Sequence, residues 1–287
     1  MTKAARPHTG SGGFCLPLMR RLRGSADGRG QGIAFMTPLT NRSSCGKIEL
    51  AIVYPSEQPV PAAYEREITM KYTGLPSAMW MIYRNTFREH LISDLRFSRD
   101  EANDIVNRAA PRYREIIGKI PEFEKGDRFV TNIVNCAMLT AFLLCMNRRP
   151  SVDELTVFYR NAMKGSFMTR MFCRKSGKSK FSDKDIAGQK ATAALRAGDR
   201  NPYSWNMDYI PYEDNSGYEA RFYTCGICAL MKEYGFYDLV PAMCSLDNTM
   251  SELGGASEFV RQYTLASGGS YCDCGYKKKA PPHSRQP

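Results

Sequence analysis

The chain reads as an α+β protein, with an N-terminal helical half followed by a mostly antiparallel four-stranded sheet that carries two inserted helices. Three observations predict this. Apolar residues recur at helical spacing from Ala78 onward, and two helices open with a Ser-x-x-Glu start signature. After Asn201-Pro202 the helical period gives way to short aromatic, extended runs separated by turn residues. The two blocks follow one another instead of alternating, an order that belongs to α+β folds and not to a βαβ parallel sheet. No internal repeat is present.

The elements follow in order. Residues 78–95 place Met79, Ile82, Tyr83, Phe87, Leu91 and Leu95 on one helical face. Ser98-Arg-Asp-Glu101 is a capping box that opens a second helix, with a kink expected near Pro111. A third helix over residues 128–146 is apolar nearly all round in its second half. It should therefore be the most buried element, with Ile133, Ala137, Phe142 and Leu143 in the core. Ser151-Val-Asp-Glu154 opens a fourth helix through Leu155, Phe158, Tyr159 and Met163. The cationic run Arg170, Arg174, Lys175, Lys178 and Lys180 around Gly177 reads as an inter-helix loop, solvated or anion-binding. Residues 183–197 form an Ala-rich fifth helix.

Strands are then expected at 205–212 and 218–224, across the turn cluster Asp214-Asn-Ser-Gly217. One helix starts at Cys225, and a second follows Gly235 and ends near Cys244-Ser-Leu-Asp247. A third strand covers 260–266. Past the turn Ser267-Gly-Gly-Ser270, the last strand covers 271–276.

The two ends differ from this body. Residues 1–69 are rich in Gly, Pro, Ser and Arg and hold no lasting period beyond a short strand pattern at 48–54. They read as a disordered extension, or as sequence upstream of a native start at Met36 or Met70. Residues 70–276 read as a single α+β domain, and residues 277–287 as a basic flexible tail. The net charge of +11 belongs mostly to these flanks. Residues 1–69 hold nine Lys/Arg against five Asp/Glu, and 277–287 hold four basic and no acidic residues, which leaves +3 on the body. Charge so placed does not mark a nucleic-acid partner. Ten cysteines over this length are not the density of a disulfide scaffold. No apolar stretch of signal-peptide type follows the basic N-terminus, and the most apolar run, 136–146, is short of the ~20 residues a bilayer needs. A soluble, reduced, cytoplasmic protein without a membrane partner is expected.

Candidate chemistry gathers late in the chain. His90 is the single histidine of the body and reads as a structural or surface residue, so a Cys–His or Ser–His–Asp constellation is not expected. Acid–base work falls to carboxylates, tyrosines or thiols. There is no Gly-rich phosphate loop and no HExxH. Five of the ten cysteines fall within residues 218–279. Cys225 closes a strand where a helix begins, a position whose free amides favour a thiolate and a lowered pKa. Alternatively, Cys225 and Cys228 are small apolar residues packed under the sheet. Cys244 and Asp247 stand at i,i+3, where the aspartate acts as a base or positions water, or caps the Asn248-Thr249 turn. Strand alternation puts Cys272 and Cys274 on one face and Asp273 on the other, unless a bulge follows the Gly268-Gly269 turn. Cys225-x2-Cys228 with Cys272-x-Cys274 would supply four thiolates to zinc or an iron–sulfur cluster. A C-x2-C between strand and helix also has a thioredoxin-like redox reading.

The ordered set Cys225, Gly235, Cys244, Asp247, Thr264, Gly268 and Cys272-Asp273 resembles the C-terminal part of the L-2-amino-thiazoline-4-carboxylic acid hydrolase family. That family's pattern is a cysteine closing a strand, then a glycine, a second cysteine and an aspartate, then a Thr-rich strand, a Gly turn and a terminal Cys-Asp pair. The resemblance covers about a fifth of the chain. It implies a cofactor-independent hydrolase for a small molecule, opening a 2-amino-thiazoline-4-carboxylate or related cyclic amidine ring to an N-carbamoyl amino acid such as N-carbamoyl-L-cysteine. Cys225 or Cys244 would be the nucleophile, Asp247 a base or amidine anchor, and Asp273 a second anchor beside Cys272. Charge logic adds Arg221 or Arg261 as the cation for the substrate carboxylate. The alternative is a non-catalytic sensor module whose thiols hold a metal or a small ligand.

Overall fold

The computed structural model describes residues 74–124, 127–197 and 201–279. The expected N-terminal extension and its short strand at 48–54 lie outside the described residues.

Helix α1 (Leu75–Ser93) starts from Gly74 in the left-handed conformation, with a proline in its first turn, and buries Met79, Tyr83, Phe87 and Leu91. Helix α2 (Arg99–Lys119) begins at a complete capping box: Ser98 Oγ accepts from the Glu101 amide at 3.2 Å and Glu101 Oε2 accepts from the Ser98 amide at 2.8 Å. Pro111 lies inside α2 and does not end it. Helix α3 (Val130–Cys145) is the central element and is buried almost throughout, including Ile133, Ala137, Phe142 and Leu143. Phe87 of α1 packs on Phe142 of α3 and on Phe158 of α4 (Val152–Gly165), with ring centroids 4.9 and 5.4 Å apart. The second capping box, Ser151 with Glu154, opens α4.

The stretch expected to be a cationic loop is a helix, α5 (Phe167–Ser179), capped by Ser166, whose hydroxyl accepts from the Thr169 amide. It has no apolar stripe, because only Thr169 and Gly177 are buried. Gly177 is not a loop glycine. A Cβ there would stand 1.9 Å from the carbonyl oxygen of Gly254, so the residue lets two backbones meet. Helix α6 (Asp183–Arg196) follows from its Ser182 cap.

The sheet comprises β1 (Met207–Pro211), β2 (Gly217–Phe222), β3 (Ser257–Val260) and β4 (Cys272–Lys278), in the order β1-β2-β4-β3 and antiparallel throughout. Three helices, not the expected two, lie between β2 and β3: α7 (Gly226–Glu233), α8 (Val240–Cys244) after a short 3₁₀ turn, and α9 (Leu246–Gly254). Gly254, at the end of α9, is the partner of Gly177 on α5. The third strand comes earlier than its expected 260–266, because the chain leaves the ladder after Val260 and its next amides bond a side chain. The last strand takes in Lys277 and Lys278, which the sequence had placed in the tail.

One sheet face packs on the helices. It carries Met207, Ala220, Cys272 and Cys274, all buried, together with an aromatic row, Tyr209–Tyr218–Tyr276–Phe259, that crosses all four strands with centroids 5.1, 5.5 and 5.3 Å apart. The other face carries Asp208, Glu219, Arg221 and Asp273, as the pairing of Asp208 with Arg221 and of Arg221 with Asp273 requires. Among the described residues no helix is long and apolar enough to cross a membrane.

Candidate functional site

The helix-facing side of the sheet draws several thiols together. Cys225 is the N-cap of α7, with φ −142° and ψ 113°. Its neighbour Gly226 fits only because a Cβ there would meet the Tyr203 carbonyl oxygen at 2.0 Å. The Cys225 side chain makes no cap hydrogen bond, and the nearby Ile227 and Cys228 amides act to lower its pKa. The expected lowering of its pKa is nevertheless reversed. A hydrogen bond to the Cys228 thiol, and then burial, push Cys225 well above the usual thiol range, and the two amides do not compensate.

Cys244 is the last residue of α8, and Asp247 lies in the first turn of α9. The two helices are separated at Ser245, whose backbone stays in the right-handed helical region (φ −64°, ψ −19°). Both meet Arg261, which follows β3. Its Nη1 donates to Asp247 Oδ2 at 2.7 Å and its Nη2 donates to the Cys244 carbonyl at 2.8 Å. Burial pushes the Cys244 thiol up to about 12, with Asp247 adding to the shift and Arg261 opposing it. Desolvation also raises Asp247, against the pull of Arg261. The Asp247 side chain is 44% accessible, whereas Arg261 is 12% accessible. The Asp247 carboxylate is therefore within reach of solvent and of a small ligand.

Cys272 opens β4, and its sulfur accepts from the Leu265 amide at 3.2 Å. Burial raises it, and the Leu265 hydrogen bond opposes the rise. Cys225, Cys244 and Cys272 lie within electrostatic range of one another. Tyr237 joins them. Its hydroxyl donates to the Leu265 carbonyl at 3.1 Å, and its phenol is raised by burial first and then by Cys228, Cys225, Cys244 and Cys272. Sequence reasoning missed Tyr237; the available signal was an aromatic pair directly after the Gly235 helix stop. Cys274, two residues along the same face of β4, is held up by burial and hydrogen-bonds Arg261.

Two expected participants stand elsewhere. Asp273 lies on the far face of the sheet, where its carboxylate accepts from the Gln262 amide at 2.9 Å and the Tyr263 amide at 2.6 Å. It anchors the loop between β3 and β4, with no bulge turning it toward the thiols. Arg221 is on that same far face, bonded to Glu219 at 2.6 Å with its guanidinium 4.5 Å from the centre of the Tyr271 ring. Of the two arginines, Arg261 alone joins the thiol cluster. Among the described residues no group of three or more His, Cys, Asp or Glu is placed to hold a metal ion. His90 bonds Asp94 at 2.9 Å on α1 and its C-cap. Cys136 and Cys145 are buried in α3, and Cys173 packs on Met250.

A second cluster went unforeseen. Lys180, the C-cap of α5, puts its ammonium 3.5 Å from the centre of the Tyr276 ring and 3.2 Å from the Tyr218 hydroxyl. Burial pushes it down to about 8, and Asp185 only partly opposes that shift.

The family model of the L-2-amino-thiazoline-4-carboxylic acid hydrolases matches residues 124–276. That span runs from the approach to α3 through β4 and contains every residue of the thiol cluster and the Asp247–Arg261 pair. No curated protein and no solved structure matches the chain. With more than half of its length inside that match, the chain belongs to the L-2-amino-thiazoline-4-carboxylic acid hydrolase family, a family of hydrolases.

Proposed function

We propose that the protein opens the ring of 2-amino-thiazoline-4-carboxylate, or of a related cyclic amidine, to an N-carbamoyl amino acid such as N-carbamoyl-L-cysteine, and that it does so without a cofactor. The observation that carries this reading is the desolvated yet reachable carboxylate of Asp247, set beside Arg261 and three thiols. The reaction adds one water across the carbon that lies between nitrogen and sulfur. A C–O bond forms, the C–S bond breaks, and the sulfur leaves as a thiol after taking a proton.

The raised thiols favour direct attack by water. Cys225, Cys244 and Cys272 are all pushed upward, so they hold their protons at neutral pH and lack the thiolate that nucleophilic attack needs. Asp247 is moved toward neutral pH, the direction that improves a general base, and takes the proton of the attacking water. Arg261 orients Asp247 and supplies the positive charge for a substrate carboxylate. All eight cysteines of the described residues are free, which suits a reducing, cytoplasmic setting.

The test follows thiol release and N-carbamoyl-cysteine formation by mass spectrometry with 2-amino-thiazoline-4-carboxylate as substrate. Wild-type protein should release one thiol per ring opened. Asp247→Asn should lower kcat by ~10²–10⁴-fold, the usual worth of a general base. Wild-type protein that leaves the ring intact would refute the reading, and an Asp247→Asn variant at full rate would remove Asp247 as the base.

A further inference from the structure

We propose that Cys225 and Cys228 form a dithiol that low-molecular-weight disulfides convert reversibly to an intramolecular disulfide. The pair shares Cys225 with the thiol cluster of the hydrolase reading, but its test is a peptide map that does not depend on ring opening. The two residues are the N-cap and the third residue of α7. Backbones three residues apart at a helical rise of 1.5 Å per residue have Cα atoms about 5 Å apart. That lies inside the ~4.4–6.8 Å window of a relaxed disulfide. Both thiols belong to the first turn of the same helix. Both residues are half-buried, whereas Cys136 and Cys145 are buried.

The surroundings make this pair the one that closes. Cys244 and Cys272 reach Cys225 through electrostatics, but each is engaged elsewhere. Cys272 accepts from Leu265, and Cys244 sits beside Asp247, whose negative charge opposes formation of a thiolate. The antiparallel sheet excludes a thioredoxin fold, so the pair keeps only the local strand-to-helix geometry of such a motif. The chemistry balances in two exchanges. One sulfur of the pair, as thiolate, attacks the small disulfide and releases one thiol, leaving a mixed disulfide. The second sulfur then attacks the first, forms the Cys225–Cys228 bond and releases the second thiol. The protein loses two electrons and two protons, and the small disulfide gains them.

The experiment incubates the full chain with oxidised glutathione, blocks the remaining thiols with iodoacetamide under denaturing conditions and maps the peptides by mass spectrometry. The expected product is a peptide 2 Da lighter with Cys225 and Cys228 joined, which dithiothreitol restores. Cys228→Ser should hold a stable glutathione adduct on Cys225 or none, with no internal bond, while Cys272→Ser should still form the Cys225–Cys228 bond. The wild-type map alone decides the matter should a variant fail to fold. A persistent glutathione adduct on either cysteine of the wild-type pair would overturn the proposal. So would a bond from Cys225 to Cys244 or Cys272, or two free thiols after full exchange.

Discussion

Replacing Gly177 by alanine separates packing from propensity. In a helix interior, Gly→Ala ordinarily stabilises by about 0.8–1.0 kcal/mol. Gly177 is interior to α5, so propensity alone predicts a gain. The structure predicts the opposite sign. The added Cβ would lie 1.9 Å from Gly254 O and 2.7 Å from its carbonyl carbon. A C–H···O contact takes about 3.3 Å, so α5 and α9 must part by about 1.4 Å. Both close atoms belong to the backbone, and no rotamer change relieves them. Overpacking costs about 1–3 kcal/mol, and a backbone overlap that no rotamer relieves takes the upper part of that range, about 2–3 kcal/mol, which leaves a net loss of about 1–2 kcal/mol. Because α9 carries Asp247, the same displacement disturbs the 2.7 Å bond to Arg261, and activity should fall along with stability. Urea unfolding at constant m reads the stability change, with Gly165→Ala as control. A Cβ at Gly165 meets nothing closer than 3.4 Å, so that control should change stability by less than about 0.5 kcal/mol. A Gly177→Ala protein as stable as wild type, or more so, would refute the close helix crossing.

The Lys180 ammonium should leave a signature in the pH dependence of stability. Burial holds it at about 8 in the folded chain, against ~10.4 unfolded, so the unfolded state binds more protons between these values and this group makes stability rise with pH across them. Lys180→Met should flatten that rise and stabilise the protein most below pH 8; unchanged curves from pH 7 to 10.5 would show the amine to be solvated. Cys225 in the native protein should react with iodoacetamide at pH 7.5 more slowly than a free thiol, and quickly once unfolded, by quantitative peptide mapping. A fast native reaction would return Cys225 to the role of nucleophile. Leu143→Ala, in the most buried helix, should cost about 2–5 kcal/mol by urea unfolding, and a cost under about 1 kcal/mol would remove α3 from the centre of the core.

The helical half was legible because its signals are local. Both capping boxes close as written, and the face from Met79 to Leu91 is the buried face. Helix α5 was not legible, since a helix that buries only Thr169 and Gly177 offers no apolar period, and the meaning of Gly177 depends on Gly254, far along the chain. At the candidate site, strand alternation separated Asp273 from Cys272 correctly. The same alternation places Arg221 on the far face, because residues facing each other across an antiparallel ladder share a side, and Arg221 faces Asp273. The direction of the Cys225 shift was misjudged because a helix start is a local feature, whereas the Cys228 hydrogen bond and burial that outweigh it are set by the turn and by tertiary packing.

The Asp273 clamp has a consequence for how this site can diversify. Asp273 holds the start of a loop from outside the sheet, and three residues further on, Leu265 of that loop touches Cys272 through its amide and Tyr237 through its carbonyl. The loop therefore works as a lever with its fulcrum on the solvent side of the sheet and its working end among the thiols. Substitutions around the fulcrum reposition the working end without altering any of the thiols, so the surroundings of the cluster can change while its side chains stay the same.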